Sequence, residues 1–226
     1  MKNYLIIFAL FTFLVASCGG KNKIYEDTAE NLYEEALKEL NKEEGFPWIL
    51  SGTNYDKLFD LLKEIQLRYT FSHYAILAEL RTADTYFKKE EYRQAAVEYL
   101  NFINRHPGNI ELEHATYQLA NSYYKLRRGK DRDPSKPSLA IKWFTHFIEL
   151  YPHSELVVKA EKKIVKCRNI LAEREIYIGN YYKKRNNYKA AIERYKNVLE
   201  YYPETRFKDK AINLIEETQQ KIASDS

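Results

Sequence analysis

The chain has 226 residues, of which 45% are hydrophobic and 30% are charged. Seven glycines and six prolines are too few for long disordered linkers, so the composition indicates a folded protein of one or two domains. The net charge of +4 is the difference between 36 basic and 32 acidic residues, which are spread along the whole chain. Nucleic-acid-binding proteins need clustered positive charge, so this distribution predicts a solvated helical surface and no nucleic-acid partner.

The amino terminus predicts a secretion signal. Lys2 is followed by a twelve-residue apolar segment, 4–15, which is shorter than the roughly 20 residues that a membrane-spanning helix takes. Its length is typical of the hydrophobic region of a signal peptide. The stretch LVASC, which ends at Cys18, resembles a bacterial lipobox, in which the cysteine is acylated and becomes the first residue of the mature protein. A plain cleaved signal and an uncleaved anchor are the alternatives.

The lipobox resemblance predicts a signal peptide over 1–17 and a lipidated tether over 18–23, with the acyl chains, palmitate among them, on Cys18. Gly19 stands where an aspartate would resemble an inner-membrane retention signal, so the expected location is the outer membrane, facing the periplasm. Several acyl chains hold a protein firmly, whereas one gives only marginal binding. The second cysteine, Cys167, lies in a helical pattern and is predicted to be a small buried thiol.

From residue 24 onward the pattern is helical and repetitive. The similar sequences INRHP, IELYP and LEYYP end three segments at Pro107, Pro152 and Pro203, and LRYT ends an earlier one at Thr70. Proline cannot continue a helix, and a Ser, Thr or Asn side chain can accept hydrogen bonds from the free amides of the next helix. Such a residue follows each segment end by two positions: Ser72, Asn109, Ser154 and Thr205.

A second regularity lies upstream of Pro107 and Pro203. At 24, 21, 15, 12 and 8 positions before each proline the residues are small, aromatic, aromatic, small and aromatic. Small residues let paired helices approach and the aromatic rings fill the space beside them, as in the 34-residue tetratricopeptide pattern. The two sets are Ala83, Tyr86, Tyr92, Ala95 and Tyr99, and Gly179, Tyr182, Tyr188, Ala191 and Tyr195.

The sequence therefore predicts an all-α fold, an α-solenoid of about five tetratricopeptide helical hairpins over 24–226. The third repeat carries a charged, proline-containing loop at 127–137, and the first carries an insertion at 44–52 of undefined role. The stretch 154–184 has no proline, and one long helix or two are both open. The approximate repeats are 24–70, 72–107, 109–152 and 154–203, followed by a capping helix at 205–222.

No motif in the chain predicts catalysis. The five histidines are scattered, and no nucleophile elbow, glycine-rich phosphate loop, paired-acid motif or Cys/His metal spacing is present. We therefore expect no enzyme activity, no metal and no cofactor. The stretch RYTFSHYA clusters Tyr69, Phe71 and Tyr74 at the junction of the first two repeats. Inter-hairpin packing and a peptide pocket are both open interpretations of this cluster.

Three stretches together resemble one family. They are RYTFSHYA (68–75), DRDPSKPSLAIKWFTHFIELYPHSE (131–155) and REIYIGNYYKKRNNYKAAIERYKNVLEYYPET (174–205). The second matches a D-R-D-P loop followed by a Y-P-x-S turn, and the third a Y-Y-x-x-R helix end followed by a Y-P-x-T turn. These features are similar to those of the BamD family, the lipoproteins of the outer-membrane β-barrel assembly machinery, the BAM complex. Thr70 stands where the family has proline in an R-Y-P-F turn, which loosens the expected geometry of the first groove.

The resemblance implies a non-enzymatic scaffold that binds the central barrel subunit, BamA, and receives unfolded outer-membrane proteins for folding and insertion. Carried over, it makes Tyr69, Phe71 and Tyr74 candidates for binding substrate peptide, and Arg185 and Arg194 candidates for contacting BamA. Accessory BAM lipoproteins are further candidate partners, and the lipid anchor would contact the membrane. The alternative is another tetratricopeptide lipoprotein of the envelope, such as a pilus-assembly factor.

Overall fold

The computed structural model describes residue 25 and residues 28–42, 52–127 and 133–224. The predicted signal peptide, Cys18 and the tether lie outside the described residues, as does all but the last residue of the 44–52 insertion. Every regular element in the described ranges is a helix, so the predicted all-α, tetratricopeptide-like solenoid class is confirmed. The helices are α1 (28–40), α2 (Tyr55–Arg68), α3 (His73–Lys88), α4 (Tyr92–Arg105), α5 (Leu112–Leu126), α6 (Ser135–Leu150), α7 (Val157–Lys184), α8 (Tyr188–Tyr201) and α9 (Lys208–Ser224).

The chain forms two compact units, and the first, Met1–Arg105, contains α1 to α4. Helix α3 packs against both α2 and α4. Leu58 takes the place of a small residue in the first hairpin, and it is fully buried in a core shared by α1, α2 and α3. Apolar side chains at three- and four-residue spacing build this core because such spacing puts them on one helix face. The core residues are Tyr33, Ala36, Leu58, Leu62, Ile65 and Ala78.

The second unit, His106–Ser226, contains α5 to α9, and each of these helices packs against the next one in the chain. Two apolar clusters lie within it. The first, formed mainly by α5, α6 and the amino-terminal half of α7, includes Phe144, Phe147 and Cys167. The second, formed by the rest of α7 with α8 and α9, includes Tyr195 and Ala211. Helix α9 therefore covers the apolar face of the last hairpin, as expected of a capping helix.

Helix α7 joins the two clusters as one continuous helix of 28 residues, about 42 Å long at 1.5 Å per residue. The sequence left one or two helices open over this stretch. The helix continues because no proline interrupts it and because both halves bury residues, Ala160 and Cys167 in one cluster and Ala172 and Ile176 in the other. None of the described helices is both long enough and apolar enough to cross a membrane.

The turns inside two hairpins have the same backbone geometry. Glu90 follows α3 with φ 62°, and Asn186 follows α7 with φ 59°. In each turn the next amide donates back to a carbonyl five residues earlier, from Glu91 to Tyr86 (2.9 Å) and from Asn187 to Tyr182 (3.0 Å). This long back-bond with a left-handed residue is the Schellman arrangement that ends many helices. Both left-handed residues lie 17 positions before the repeat proline, so the similarity between these two repeats extends from their sequences to their backbone conformation.

The turns between repeats share a second geometry. In each of these turns the backbone amide of the predicted cap donates to the carbonyl of the residue three positions earlier: Ser72 to Tyr69 (2.8 Å), Asn109 to His106 (3.0 Å), Ser154 to Tyr151 (3.1 Å) and Thr205 to Tyr202 (3.1 Å). Thr70 therefore keeps the backbone turn that proline makes elsewhere. The Thr70 hydroxyl donates to the carbonyls of Gln66 and Leu67, each at 3.2 Å, and so satisfies the end of α2.

The predicted caps differ in detail. Ser72 is the N-cap of α3, and its hydroxyl accepts from the Tyr74 amide. Asn109 and Ser154 accept in the same way from the amide two residues on, but α5 and α7 begin a few residues later. Thr205 instead donates its hydroxyl proton to the Tyr202 carbonyl. The cap prediction is thus confirmed for Ser72. The side chains of Asn109, Ser154 and Thr205 instead form hydrogen bonds within the turn that precedes the helix.

Candidate functional site

Two of the three aromatic candidates at 68–75 pack inside the first unit. Tyr69 ends α2, is buried, and its ring lies 4.7 Å from that of Tyr25. Tyr74, in the first turn of α3, is half-buried with its ring 5.6 Å from that of Tyr33 on α1. Tyr74 also packs against the core of α1 to α3. These two rings therefore hold the helices of this unit together.

Phe71 has a different environment. It lies in the turn between α2 and α3, and its side chain is 96% exposed. The ring therefore faces solvent. Burying a phenylalanine side chain is worth about 1.5–3 kcal/mol. Of the three candidates, Phe71 is therefore the one that a partner can cover without disturbing the fold.

Arg185 follows the carboxyl end of α7. It is exposed, and its guanidinium carbon lies 4.5 Å from the centroid of the Tyr181 ring. A cation over an aromatic face is held by the ring quadrupole, worth about 0.5–1 kcal/mol at an exposed site. The contact orients the side chain and leaves its N–H groups available for a carboxylate.

Arg194 on α8 is already engaged within the second unit. Its Nη1 lies 3.2 Å from Oε2 of Glu175 on α7, and the Asn197 amide donates to the same oxygen at 3.0 Å. The Glu175 side chain is only 13% exposed, so Arg194 compensates a carboxylate that is largely removed from water. Arg185 and Arg194 have different partners, and Arg194 has a structural role whatever else it contacts.

Buried tyrosines fix the paired helices in both units. Tyr99 donates to Oδ1 of Asp84 at 2.6 Å, and Tyr195 donates to Oδ1 of Asn180 at 2.8 Å. Both rings are fully buried, and both acceptors follow the small residue of the repeat pattern, Ala83 or Gly179. Burial and the adjacent carboxylate raise the pKa of Tyr99 well above its ordinary value, so its phenol keeps the proton that it donates.

A cluster of cations in the second unit was not anticipated from the sequence. Lys163, on α7, is partly buried, and its ammonium donates to the Tyr117 hydroxyl at 2.9 Å and to Oδ1 of Asn121 at 2.7 Å. It also lies 4.8 Å from the centroid of the Tyr117 ring, 5.4 Å from that of Tyr124 and 5.5 Å from that of Phe144. All of these partners are neutral, and within the described part of the chain no carboxylate forms an ion pair with Lys163.

The surroundings of Lys163 disfavour its charge. Burial is the largest cause, and neighbouring cations add to it, so the pKa of Lys163 is lowered to about 8. Those cations are Lys125, Arg127, Lys159 and Lys166. The positive charge that is evenly spread along the sequence is therefore gathered in three dimensions where α5 meets α7.

Arg127 extends the cluster at the carboxyl end of α5. Its guanidinium carbon lies 3.6 Å from the centroid of the Tyr124 ring, and Nη1 donates to the Tyr124 carbonyl at 2.6 Å. Its Nε is buried and has no hydrogen-bond partner among the described residues. Lys163 and Arg127 thus both lie against Tyr124.

A cleft of about 720 Å³ opens beside this cluster, within the range of ligand pockets. Arg127, Lys166, Arg174 and Arg206 contribute four cations to its described lining, against the two carboxylates of Asp133 and Glu173. Apolar and aromatic side chains lie between these charges: Tyr124, Pro134, Pro137, Ile170, Leu171 and Tyr177. We call the cluster around Lys163 together with this cleft the basic cleft.

The sequence contained a usable signal for the basic cleft. Positions 159, 163, 166, 170, 174 and 177 follow one another at three- or four-residue spacing and so share one face of a helix. Four of the six are basic and two are apolar. This pattern predicts a basic helix face only if 154–184 forms a single helix. Predicting the basic cleft also requires knowing that α5 offers neutral partners to Lys163 and not carboxylates.

The remaining chemical candidates are structural. Cys167 is buried, which confirms the predicted small buried thiol, and burial raises the pKa of the Cys167 thiol to about 11. Among the described residues no group of three His, Cys, Asp or Glu side chains could hold a metal ion.

These features define the class of the protein, a helical-repeat protein built of tetratricopeptide-like hairpins. The family model described as "YfiO: Outer membrane lipoprotein" matches residues 25–226, which is nearly the whole chain after the signal-like segment. The chain belongs to this outer-membrane lipoprotein family, of which BamD proteins are members.

The curated relatives carry the name "Outer membrane protein assembly factor BamD". The protein of Neisseria meningitidis serogroup A is 26% identical over 239 residues, covering 98% of this chain and 85% of the relative. That of Caulobacter vibrioides is 28% identical, covering 88% of this chain and 63% of the relative. That of Rickettsia prowazekii is 32% identical, covering 70% of this chain and 62% of the relative.

Proposed function

We propose that this chain is a non-enzymatic scaffold in outer-membrane protein assembly. The observation that carries the proposal is that relatives named as outer membrane protein assembly factors match along its length, up to 98% of the chain, with a family model over 25–226. A protein of stacked helical hairpins suits this role because it offers side chains from many helices to a polypeptide partner. Co-purification from membranes after mild cross-linking tests it, and failure to recover a large barrel protein with periplasmic repeats would contradict it.

The proposal includes attachment to the outer membrane, facing the periplasm, through lipid on Cys18. The lipobox-like sequence before Cys18 and the description of the family as outer membrane lipoproteins support this placement. Stable anchoring needs more than one acyl chain, and the acylated cysteine of a bacterial lipoprotein supplies them. Incorporation of labelled palmitate that depends on Cys18 is the measurement that tests the anchor.

The proposed partner at the carboxyl end of α7 is the central barrel subunit, BamA. The exposed guanidinium of Arg185, oriented by Tyr181, supports a contact with a carboxylate of the partner. Arg194 belongs to the same proposed surface, where its bond to Glu175 leaves it partly exposed. Because that bond also compensates a nearly buried carboxylate, a change at Arg194 would alter folding and binding together.

Replacing Arg185 by glutamate should reduce recovery of the barrel subunit by about tenfold or more, because a hydrogen bond between charged groups contributes about 1.5–3 kcal/mol. Lys184→Glu, the same charge reversal at the adjacent exposed residue, is the matched control and should lose less than half of the recovery. Quantitative cross-linking with both variants at equal helicity checks the result. Equal losses for the two variants would show that only general charge matters and would remove Arg185 from the contact.

Unfolded outer-membrane proteins are the proposed second ligand, with Phe71 as the side chain that the peptide covers. The near-complete exposure of Phe71 in a repeat junction supports this, and Tyr69 and Tyr74 would act by holding the junction in place. Aromatic residues, phenylalanine among them, are enriched in the buried cores of protein interfaces relative to the rest of the protein surface.

Phe71→Ala should weaken binding of a labelled carboxy-terminal peptide of a barrel protein by about tenfold, since covering the ring is worth about 1.5–3 kcal/mol. Unfolding in urea should change by less than about 0.5 kcal/mol because the ring contacts little in the folded protein. Val97→Ala, an exposed apolar truncation on α4 of the same unit, is the control and should leave binding unchanged. Fluorescence anisotropy measures the affinities, and an unaltered affinity of the Phe71 variant would place the peptide elsewhere.

A further inference from the structure

We propose that the basic cleft of the second unit is a binding site for an extended acidic polypeptide segment. The site would take carboxylates at Lys163, Lys166 and Arg127, and apolar or aromatic side chains between them. It is a third interaction surface, and it does not depend on the barrel subunit or on unfolded barrel proteins being the partners at Arg185 and Phe71.

The arrangement of cations in the basic cleft lowers the stability of the unit. Lys163 has left bulk water, yet it donates only to the neutral oxygens of Tyr117 and Asn121. Taking a cation out of water without an anion is unfavourable, and four further cations nearby increase the repulsion. Elsewhere in the same unit partly buried charges are paired, as Arg168 is with Glu204 and Arg194 with Glu175. A ligand carboxylate at Lys163 would supply the missing partner.

Arg127 contributes an unsatisfied hydrogen-bond donor beside the cleft. Its Nε is buried without an acceptor in the described part of the chain, although the rest of the guanidinium is held by the Tyr124 carbonyl and ring. A buried donor without a partner costs about 1–3 kcal/mol. An arginine fixed in place beside an open cleft is pre-organised for a carboxylate, because its planar N–H groups match the two carboxylate oxygens.

The length of the surface and the order of its residues fit an extended peptide. The face of α7 from Lys159 to Tyr177 spans about 27 Å at 1.5 Å per residue, which about eight residues of extended chain would cover. Along it the positions run Lys159, Lys163, Lys166, Ile170, Arg174 and Tyr177. Basic positions separated by an apolar one suit a peptide that mixes acidic with apolar or aromatic residues.

The shape favours a polypeptide over an anionic membrane. The surface is a concave cleft of about 720 Å³ with aromatic and proline side chains in its wall, whereas a bilayer surface is flat and would reach only the rim. Lys163 is partly buried between α5 and α7, where a chain can bring a single carboxylate but a lipid headgroup layer cannot enter. Electrostatic attraction at such a site falls as salt screens the charges.

The test uses the purified full chain and a fluorescein-labelled peptide of about eight residues in which aspartate or glutamate alternates with tyrosine, serine or leucine. A second peptide carries asparagine and glutamine at the acidic positions. We expect the acidic peptide to bind, with weaker binding at high salt, and the amide peptide to bind at least about tenfold more weakly. Absence of binding by the acidic peptide, or equal binding of the two, would overturn the proposal.

Two variants locate the site. Lys163→Met keeps the length of the side chain but removes its charge, and should weaken the acidic peptide by about tenfold without lowering Tm. Lys166→Glu reverses an exposed charge in the cleft, so its effect on binding is free of any effect on the core, and a loss of about tenfold or more is expected. Lys210→Met, at an exposed position on α9, is the matched control and should change binding by less than about twofold. Unchanged binding in Lys166→Glu would overturn the assignment.

Vesicles of zwitterionic lipid with added phosphatidylglycerol test the other source of negative charge. Vesicle binding that is lost in both Lys163→Met and Lys166→Glu, without binding of the acidic peptide, would assign the cleft to a membrane surface and overturn the proposal. Since none of these measurements involves the barrel subunit, their failure would leave the proposed scaffold function to its own cross-linking test.

Discussion

Replacing Gly179 by alanine is expected to lower the free energy of unfolding of the second unit by about 2 kcal/mol. The added Cβ would lie 2.3 Å from Cε1 of Tyr195, and 2.7 Å and 2.9 Å from two further ring atoms. The ring has no room to withdraw because it is fully buried and its hydroxyl donates to Asn180. Overpacking a rigid core costs about 1–3 kcal/mol, and more for so short a contact, which exceeds the gain of about 1 kcal/mol in helix propensity.

Urea denaturation followed by circular dichroism measures the loss. Gly108→Ala is the matched control, because a Cβ there meets nothing within 4 Å and no described glycine has a positive φ. This variant should be no less stable than the natural chain, with a gain of up to about 1 kcal/mol from the stiffer unfolded chain. If steric conflict is the cause, adding Tyr195→Leu to Gly179→Ala should cost less than the sum of the two single changes. Strict additivity would refute the proposed clash.

The second large effect is expected at Asp84 in the first unit. Asp84→Ala should destabilise that unit by about 3 kcal/mol, because one carboxylate serves two buried donors. Its Oδ1 accepts from Tyr99 and its Oδ2 pairs with Nη1 of Arg81, both at 2.6 Å, and Arg81 also donates to the Tyr33 hydroxyl at 3.0 Å. Removing the carboxylate takes this acceptor away from the fully buried Tyr99 and this counter-ion away from the mostly buried Arg81.

Asp84→Asn separates the two parts of this effect. It retains an acceptor for Tyr99, as Asn180 does for Tyr195 in the second unit, but removes the charge that pairs with Arg81. We expect Asp84→Asn to lower the free energy of unfolding, but by less than Asp84→Ala does. Asp60→Ala, at an exposed position on α2, is the control and should change the stability by less than about 0.5 kcal/mol. A loss at Asp84→Ala no greater than at Asp60→Ala, measured by urea denaturation, would contradict the role of this network.

The two networks explain a difference between otherwise similar repeats. The residue 26 positions before the repeat proline is Arg81 in the first unit and Tyr177 in the second. Three residues further on lies the acceptor of the tyrosine hydrogen bond, Asp84 in the first unit and Asn180 in the second. Arg81 pairs with the carboxylate, whereas the amide of Asn180 brings no charge that needs a counter-ion. The repeat therefore preserves the tyrosine hydrogen bond and changes the charge on its acceptor only where a cation is present.

Local spacing was enough to predict the helical class and the repeat pattern. The turns between repeats follow from short sequences, since a residue such as Pro107 or Pro203 ends one helix and a polar side chain orders the next turn. Gly179 was assigned as a small contact residue from its register with Ala83, and the Tyr195 ring, which would lie only 2.3 Å from a Cβ added at Gly179, confirms that assignment. These features depend on residues close in sequence and on the 3.6-residue period of the helix, so the sequence alone is sufficient.

The functional surfaces required the tertiary structure. The sequence grouped Tyr69, Phe71 and Tyr74 together, but only helix packing shows that two of the rings are engaged within the unit and that Phe71 is exposed. The basic cleft depends on contacts between residues far apart in sequence, such as Lys163 with Tyr117, 46 positions earlier. Burial and the sign of neighbouring charges set the energy of an ionisable group, and both are decided by which helices meet.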